Sequence, residues 1–230
     1  MKRYWKEIIG YTLLFAAFIF IPLAGNRAVY VLSQNREPDT TIVIDAGHGG
    51  VDGGAVSCAG AYESHINLEI ALKLNDFMHL MGIRTIMIRN ADISVYTEGT
   101  TIATKKVSDI RERVRVVNTT PNALLLSIHQ NMFSDPKYRG AQVFYNGESD
   151  SKLLAENLQA AFRQNVDPVN KRQIKKATGI YLMEHINCNG ILIECGFLSN
   201  PQEEQNLRSS EYQKKLCAVI AATVAQYLNT

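Results

Sequence analysis

Residues 41–54 read TIVIDAGHGGVDGG. The first four, Thr41 to Ile44, are a mostly apolar, β-branched run of strand length, and the stretch then passes into an acid, a histidine and five glycines. A buried strand that ends in such a loop carries polar groups to the carboxyl edge of a sheet, where open α/β proteins place their sites. Glycine allows positive φ and a close approach of the backbone to a ligand. His48 stands in the middle of this loop, so the downstream segments are read for groups that reach the same edge.

Residues 63–81 place Ile66, Ile70, Leu74, Phe77 and Met81 at helical spacing, with Gly82 just past the end, and residues 83–88 form a second apolar run. Strand, helix and strand in that order predict a parallel pair with a right-handed crossover. Residues 91–108 are mostly polar and are expected to be a long, mobile loop, followed by a short helix over 109–118. Further strands are expected at 124–129 (LLLSIH), at 140–145 nearer an edge, at 179–183 and at 190–196 (GILIECG). Residues 151–165 read as a helix, Asn200-Pro201 opens another, and residues 212–228 align Tyr212, Leu216, Val219, Ile220, Val224 and Tyr227 on one face. The expected architecture is α/β, an open, twisted, mostly parallel sheet with helices on both faces.

The amino terminus is of another kind. Lys2, Arg3 and Lys6 precede residues 8–25, which carry no charge. That length lies between a signal-peptide core and a short transmembrane helix. Residues 1–25 are read as an uncleaved membrane anchor, with a signal peptide as the alternative, residues 26–40 as a linker and residues 41–230 as the catalytic domain. Basic residues before the span place the remaining chain outside the cytoplasm.

The 230 residues are 46% hydrophobic and 20% charged, enough for a sizeable core, and the net charge of +2 implies no nucleic-acid partner. Cys58, Cys188, Cys195 and Cys217 show no C-x-x-C spacing and are compatible with free thiols or one bridge. Cys195, one residue from Glu194, is expected on the opposite strand face, in the core.

Three apolar strands thus run into His48, His129 and Glu194, and Glu63 begins the helix after the first of them. On parallel neighbouring strands these groups share one sheet edge. Two histidines and a carboxylate are the ligand set of a catalytic zinc, and a second carboxylate nearby is suited to moving the proton. Each residue also has an ordinary explanation: a solvated strand-end histidine, or for Glu63 an acid complementing a helix dipole. Glu194 within ILIECGF is harder to explain that way, because an unpartnered buried carboxylate is costly. No H-E-x-x-H motif is present; His65 is expected to face away from Glu63, His79 to lie at the surface, and His185 to remain outside the site.

The loop IDAGHGGVDGGA (44–55), the glutamate of YESHINLEIALKL, SIHQN (127–131) and ILIECGFLSNPQE (191–203) resemble the zinc-dependent N-acetylmuramoyl-L-alanine amidases over roughly residues 41–228. Within that family, TEGT (97–100), RERVRVVN (111–118) and GIYLM (179–183) resemble the cortex-maturation type of endospore formers. The resemblance implies one zinc per chain on His48, Glu63 and His129, with Glu194 as catalytic base and acid. It implies a peptidoglycan substrate cleaved between N-acetylmuramic acid and L-alanine, and in the cortex type a step toward muramic δ-lactam. Gln130 and Met132 stand where the family usually carries small residues, predicting a bulkier rim beside His129. An accessory protein has a place to dock on the 91–108 loop. Other readings are a vegetative wall amidase, a catalytically weak peptidoglycan-binding module, and a phosphate-cradling α/β domain, which lacks its G-K-[ST] signature here.

Overall fold

The computed structural model describes residues 40–147 and 149–229. The anchor expected over 1–25 and nearly all of the linker lie outside these residues. Six strands, β1 (Thr41–Ala46), β2 (Thr85–Met87), β3 (Ala123–Asn131), β4 (Gln142–Tyr145), β5 (Lys175–Lys176) and β6 (Gly190–Phe197), form one sheet in the order β2–β1–β3–β6–β4–β5. All neighbours are parallel except β4 and β6.

The helices are α1 (Glu63–Leu80), α2 (Ile102–Thr119), α3 (Ser149–Asn165), α4 (Tyr181–His185), α5 (Pro201–Leu207) and α6 (Ser210–Tyr227). α6 packs between α1 and α3 on one face, burying Ile70, Leu74, Leu158, Leu216 and Ile220 completely. α2 and α4 cover the other, where Val43, Val117, Leu125, Leu182, Met183 and Leu192 cluster. With both faces covered, β1, β3 and β6 read as nearly continuous apolar runs rather than alternating ones.

The punctuation works as the residue types demand. Gly82 takes φ +68° past the end of α1, donating its N–H to the His79 carbonyl at 2.9 Å. The Asn200 side chain accepts from the Gln202 and Glu203 N–H groups at 3.1 Å and starts α5 ahead of Pro201.

Two expectations are corrected. The last seven residues of the loop expected over 91–108 are helical, because α2 begins at Ile102. A reciprocal capping box closes its start: Thr104 N–H donates to Thr101 Oγ1 at 3.2 Å, and Thr101 N–H donates to Thr104 Oγ1 at 3.0 Å. Few apolar residues mark this helix, since its buried set is only Ser108, Arg113 and Val117. The strand expected at 179–183 is instead a turn at Gly179, the N-cap Ile180 and the first three residues of α4. Gly179 at φ +78° donates its N–H to the Glu184 carboxylate at 2.7 Å, which closes the turn, while Leu182 and Met183 enter the core. A five-residue apolar run does not distinguish these outcomes by periodicity.

Candidate metal centre

Strand adjacency assembles the site. Ala46 of β1 pairs with Ile128 of β3, and His129 pairs with Glu194 of β6. His48 lies two residues beyond β1, and Glu63 is the first residue of α1. One potential ligand atom from each of His48, Glu63 and His129 lies within 4.8 Å of the other two. His48 Nε2 is 3.3 Å from Glu63 Oε2, and His129 Nδ1 is 3.0 Å from Glu63 Oε1. The two imidazoles meet edge to face with centroids 5.0 Å apart.

Glu63 is clamped on both oxygens. Oε2 accepts from the Ala55 N–H at 3.0 Å, and Oε1 accepts from the Gln130 N–H at 3.1 Å and from Asn67 Nδ2 at 3.2 Å. Gly54, at φ +69°, approaches so closely that a Cβ there would stand 2.7 Å from Glu63 Oε2 and from His48 Cδ2. The spacing of glycines in the loop is therefore set by the side chains it wraps.

The loop itself is gripped by two buried arginines. Arg89 donates to the carbonyls of Ala46 (2.8 Å), Gly47 (3.0 Å) and Ser64 (2.8 Å). Arg113 of α2 donates to the Ala46 carbonyl at 3.0 Å and the His48 carbonyl at 2.7 Å, and it pairs with Asp45 and Asp109. These bonds hold His48 at φ +60°, a left-handed conformation that is uncommon for a residue with a side chain. Asp45, buried and bonded to Ser127 Oγ at 2.7 Å, is the counter-charge that makes Arg113 tolerable there.

Charges are strongly coupled at the centre. Burial opposes protonation of His48, but hydrogen bonds and attraction from Glu63 and Asp52 outweigh it and raise its pKa to about 9. Burial likewise opposes ionisation of Glu63, yet its bonds to His129 and His48 hold its carboxyl far below the usual carboxylate range. Glu194 goes the other way: burial pushes it up to about 7, with the His129 and His48 charges only partly offsetting. Its Oε2 is buried and has no hydrogen-bond partner. The cavity in front of these groups, about 300 Å³, is walled by Lys106, Ile110 and Arg113 of α2 and by Ile180, Leu182 and Leu192.

The structure thus brings His48, Glu63, His129 and Glu194 together and leaves the other histidines out. His65 is exposed and faces Asp92 at 3.1 Å, His79 meets Thr85 Oγ1 at 2.7 Å, and His185 stacks on Tyr181. Cys195 is fully buried, and all four cysteines are free. The bulkier rim expected from Gln130 is not there: its side chain turns inward and donates to Asn67 Oδ1 at 3.1 Å, while Met132 is 45% exposed. Alternation along β3 sends Gln130 to the face opposite His129.

Reading the chain overlooked Asp52, Lys106, Arg89 and Arg113. An acid four residues after a loop histidine was the available signal for Asp52. Nothing local distinguishes Arg113 from the other arginines of RERVRVVN.

A zinc ion with N and O bonds of about 2.0–2.1 Å in tetrahedral array separates neighbouring donors by roughly 3.3 Å. The donor pairs at 3.0 and 3.3 Å, the clamped carboxylate and the unpaired Glu194 oxygen beside them fit such an ion. A two-histidine, one-carboxylate cluster at the carboxyl edge of an open α/β sheet is a donor set suited to a metal ion, and this pairing of fold and site marks the class. Residues 42–226 match the N-acetylmuramoyl-L-alanine amidase family, and the chain belongs to it. The germination-specific N-acetylmuramoyl-L-alanine amidase of Bacillus subtilis (strain 168) is 37% identical over 188 residues, covering 81% of this chain and 78% of that protein. The CwlD amidase of Clostridioides difficile, solved in complex with the GerS lipoprotein, superposes with a TM-score of 0.79 at 38% identity, over 82% of this chain and 98% of that one. An N-acetylmuramoyl-L-alanine amidase of Clostridium difficile 630 gives a TM-score of 0.70 at 30% identity, covering 83% and 97%. The chain is an amide hydrolase acting on peptidoglycan outside the cytoplasm.

Proposed function

We propose that His48, Glu63 and His129 hold one zinc ion and that Glu194 moves the proton as the bond between the lactyl group of N-acetylmuramic acid and L-alanine is cleaved. The observation that carries this reading is the convergence of three donor atoms within 4.8 Å, next to a buried carboxylate oxygen that has no partner. Zinc, when bound, supplies Lewis acidity toward the amide carbonyl and toward water. Glu63, clamped by Ala55, Gln130 and Asn67, keeps its charge and cannot swing away. Glu194 takes a proton from the attacking water and returns it to the departing nitrogen, the two halves of general base and acid catalysis. Arg113 and Arg89 hold the loop so that His48 needs no rearrangement on binding.

The cortex-directed role is the biological setting we infer, supported by the likeness to the germination-specific amidase and to CwlD. In that setting residues 1–25 keep the catalytic domain, 41–230, at the outer face of a membrane, and an accessory protein assists it, as the GerS complex of CwlD suggests. None of the helices among the described residues is long and apolar enough to cross a membrane, so the anchor rests on the sequence alone. Metal content measured beside release of L-alanine amino termini from purified cortex peptidoglycan tests the core of this reading. Turnover that persists without any metal would refute it, and the mass of the exported chain decides whether the anchor is retained.

A further inference from the structure

Beyond Glu194 the same sheet face continues away from the metal centre. His129, Glu194 and Gln142 are register partners on β3, β6 and β4, so their side chains stand in a row on one face, about 5 Å from strand to strand. The row ends at Arg172, whose Nη1 is 3.4 Å from Gln142 Oε1. The Arg172 guanidinium lies over the Phe197 ring at 4.5 Å and the Tyr138 ring at 5.7 Å, and Nε donates to the Arg139 carbonyl at 3.3 Å. Gln142 is itself fixed by a 2.6 Å bond from its Nε2 to the Gln173 carbonyl. Among the described residues Nη2 of Arg172 has no hydrogen-bond partner, and no carboxylate lies within ion-pair distance of the group. Arg172 is half-buried, its guanidinium is oriented by two rings, and it carries an unused pair of donors at the end of the row that runs from His129 through Glu194 and Gln142.

We propose that Arg172 is a subsite for a carboxylate of the stem peptide. This subsite rests on the role proposed for Glu194. Glu194 protonates the departing nitrogen, and that nitrogen belongs to the stem peptide. Groups on the side of Glu194 away from the metal ligands therefore face the leaving peptide, and an uncapped peptide ends in a carboxylate. A planar guanidinium held by stacking offers the fork that matches a carboxylate, which a lysine in the same place does not. The competing explanation is a purely structural lid over Phe197 and Tyr138, in which case charge and substrate chemistry are irrelevant.

The test compares two N-acetylmuramoyl peptides, one with free stem carboxylates and one with the same carboxylates converted to amides, on the full chain with its metal. Wild type is expected to show the lower KM for the free carboxylate. Arg172→Gln, which keeps a planar head over the rings but no charge, should raise KM for that substrate about 10- to 100-fold, the range of a charge-assisted hydrogen bond. Its kcat and its KM for the amidated substrate should stay unchanged, and Arg172→Lys should recover part of the loss. Equal effects on both substrates, or wild type that does not distinguish them, would overturn the proposal. Calorimetric binding of the free stem peptide, carboxylate against amide-capped, reads the subsite without turnover, so a failure of the Glu194 assignment stays separate from a failure of this one.

Discussion

His48 Nδ1 lies 2.8 Å from the Asp52 carboxylate, whose other oxygen is 2.6 Å from the Lys106 ammonium. A carboxylate on Nδ1 favours the Nδ1–H tautomer and leaves Nε2, on the Glu63 side, as the free donor atom. Lys106 belongs to α2, so the helix that grips the loop backbone through Arg113 also anchors the imidazole through Asp52.

Asp52→Ala should therefore weaken zinc binding by about 10- to 100-fold, as removal of such outer partners does. The melting temperature of the metal-free chain should hardly move, because Asp52 and Lys106 are partly exposed. Titration with a competing chelator reads the affinity; an unchanged constant would remove Asp52 from the metal's support.

His129→Ala should lose stoichiometric zinc, whereas His65→Ala and His79→Ala should keep it. The last two histidines are bonded to Asp92 and Thr85 and take no part in the donor cluster. Elemental analysis of the three variants decides the matter, and full occupancy in His129→Ala would break the ligand assignment.

Glu194→Gln preserves shape while removing proton transfer. The rate on soluble muramyl peptides should fall by about 10²- to 10⁴-fold, with zinc content and folding close to wild type. Wild-type turnover would exclude Glu194 from proton transfer, while loss of metal would make it a ligand.

Burial raises the pKa of Asp45, but Arg113, His129 and the Ser127 hydroxyl lower it further, leaving it below its ordinary value. A carboxylate of this sort contributes stability that is fully present above the unfolded pKa of about 3.9 and is lost as pH falls through the lower folded value. Asp45→Asn should accordingly flatten the acid side of the stability curve. At neutral pH it should cost about 3 kcal/mol, the low end for breaking a buried pair, because Asp109 still faces Arg113. Urea unfolding at pH 7 and at pH 3 measures both effects, and an acid limb as steep as that of wild type would contradict the assignment.

Much of this molecule was legible in one dimension. β1, β3 and β6 are long apolar runs, and each delivers a polar residue to its carboxyl end: His48, His129 and Glu194. Buried parallel strands allow little else, since every inward position must be apolar and only the edge can carry chemistry. The stop of α1 at Gly82 and the start of α5 at Asn200-Pro201 are likewise local, written in caps and backbone preferences.

What the tertiary structure decided is everything that depends on chain segments meeting. The run 179–183 became a turn and α4 because Leu182 and Met183 found a core. α2 starts early on a threonine capping box and contributes Arg113 and Lys106, whose partners lie 65 and 54 positions back, at His48 and Asp52. Gln130 turned inward to Asn67, against the expected rim, because strand alternation and the β3–α1 contact outrank its position beside His129. Apolar periodicity records which face of an element is buried, and it does so from residues close in sequence. Pairing of buried charges is satisfied only by groups that folding brings from far apart, so Arg89, Arg113 and Asp45 acquire their meaning only in three dimensions.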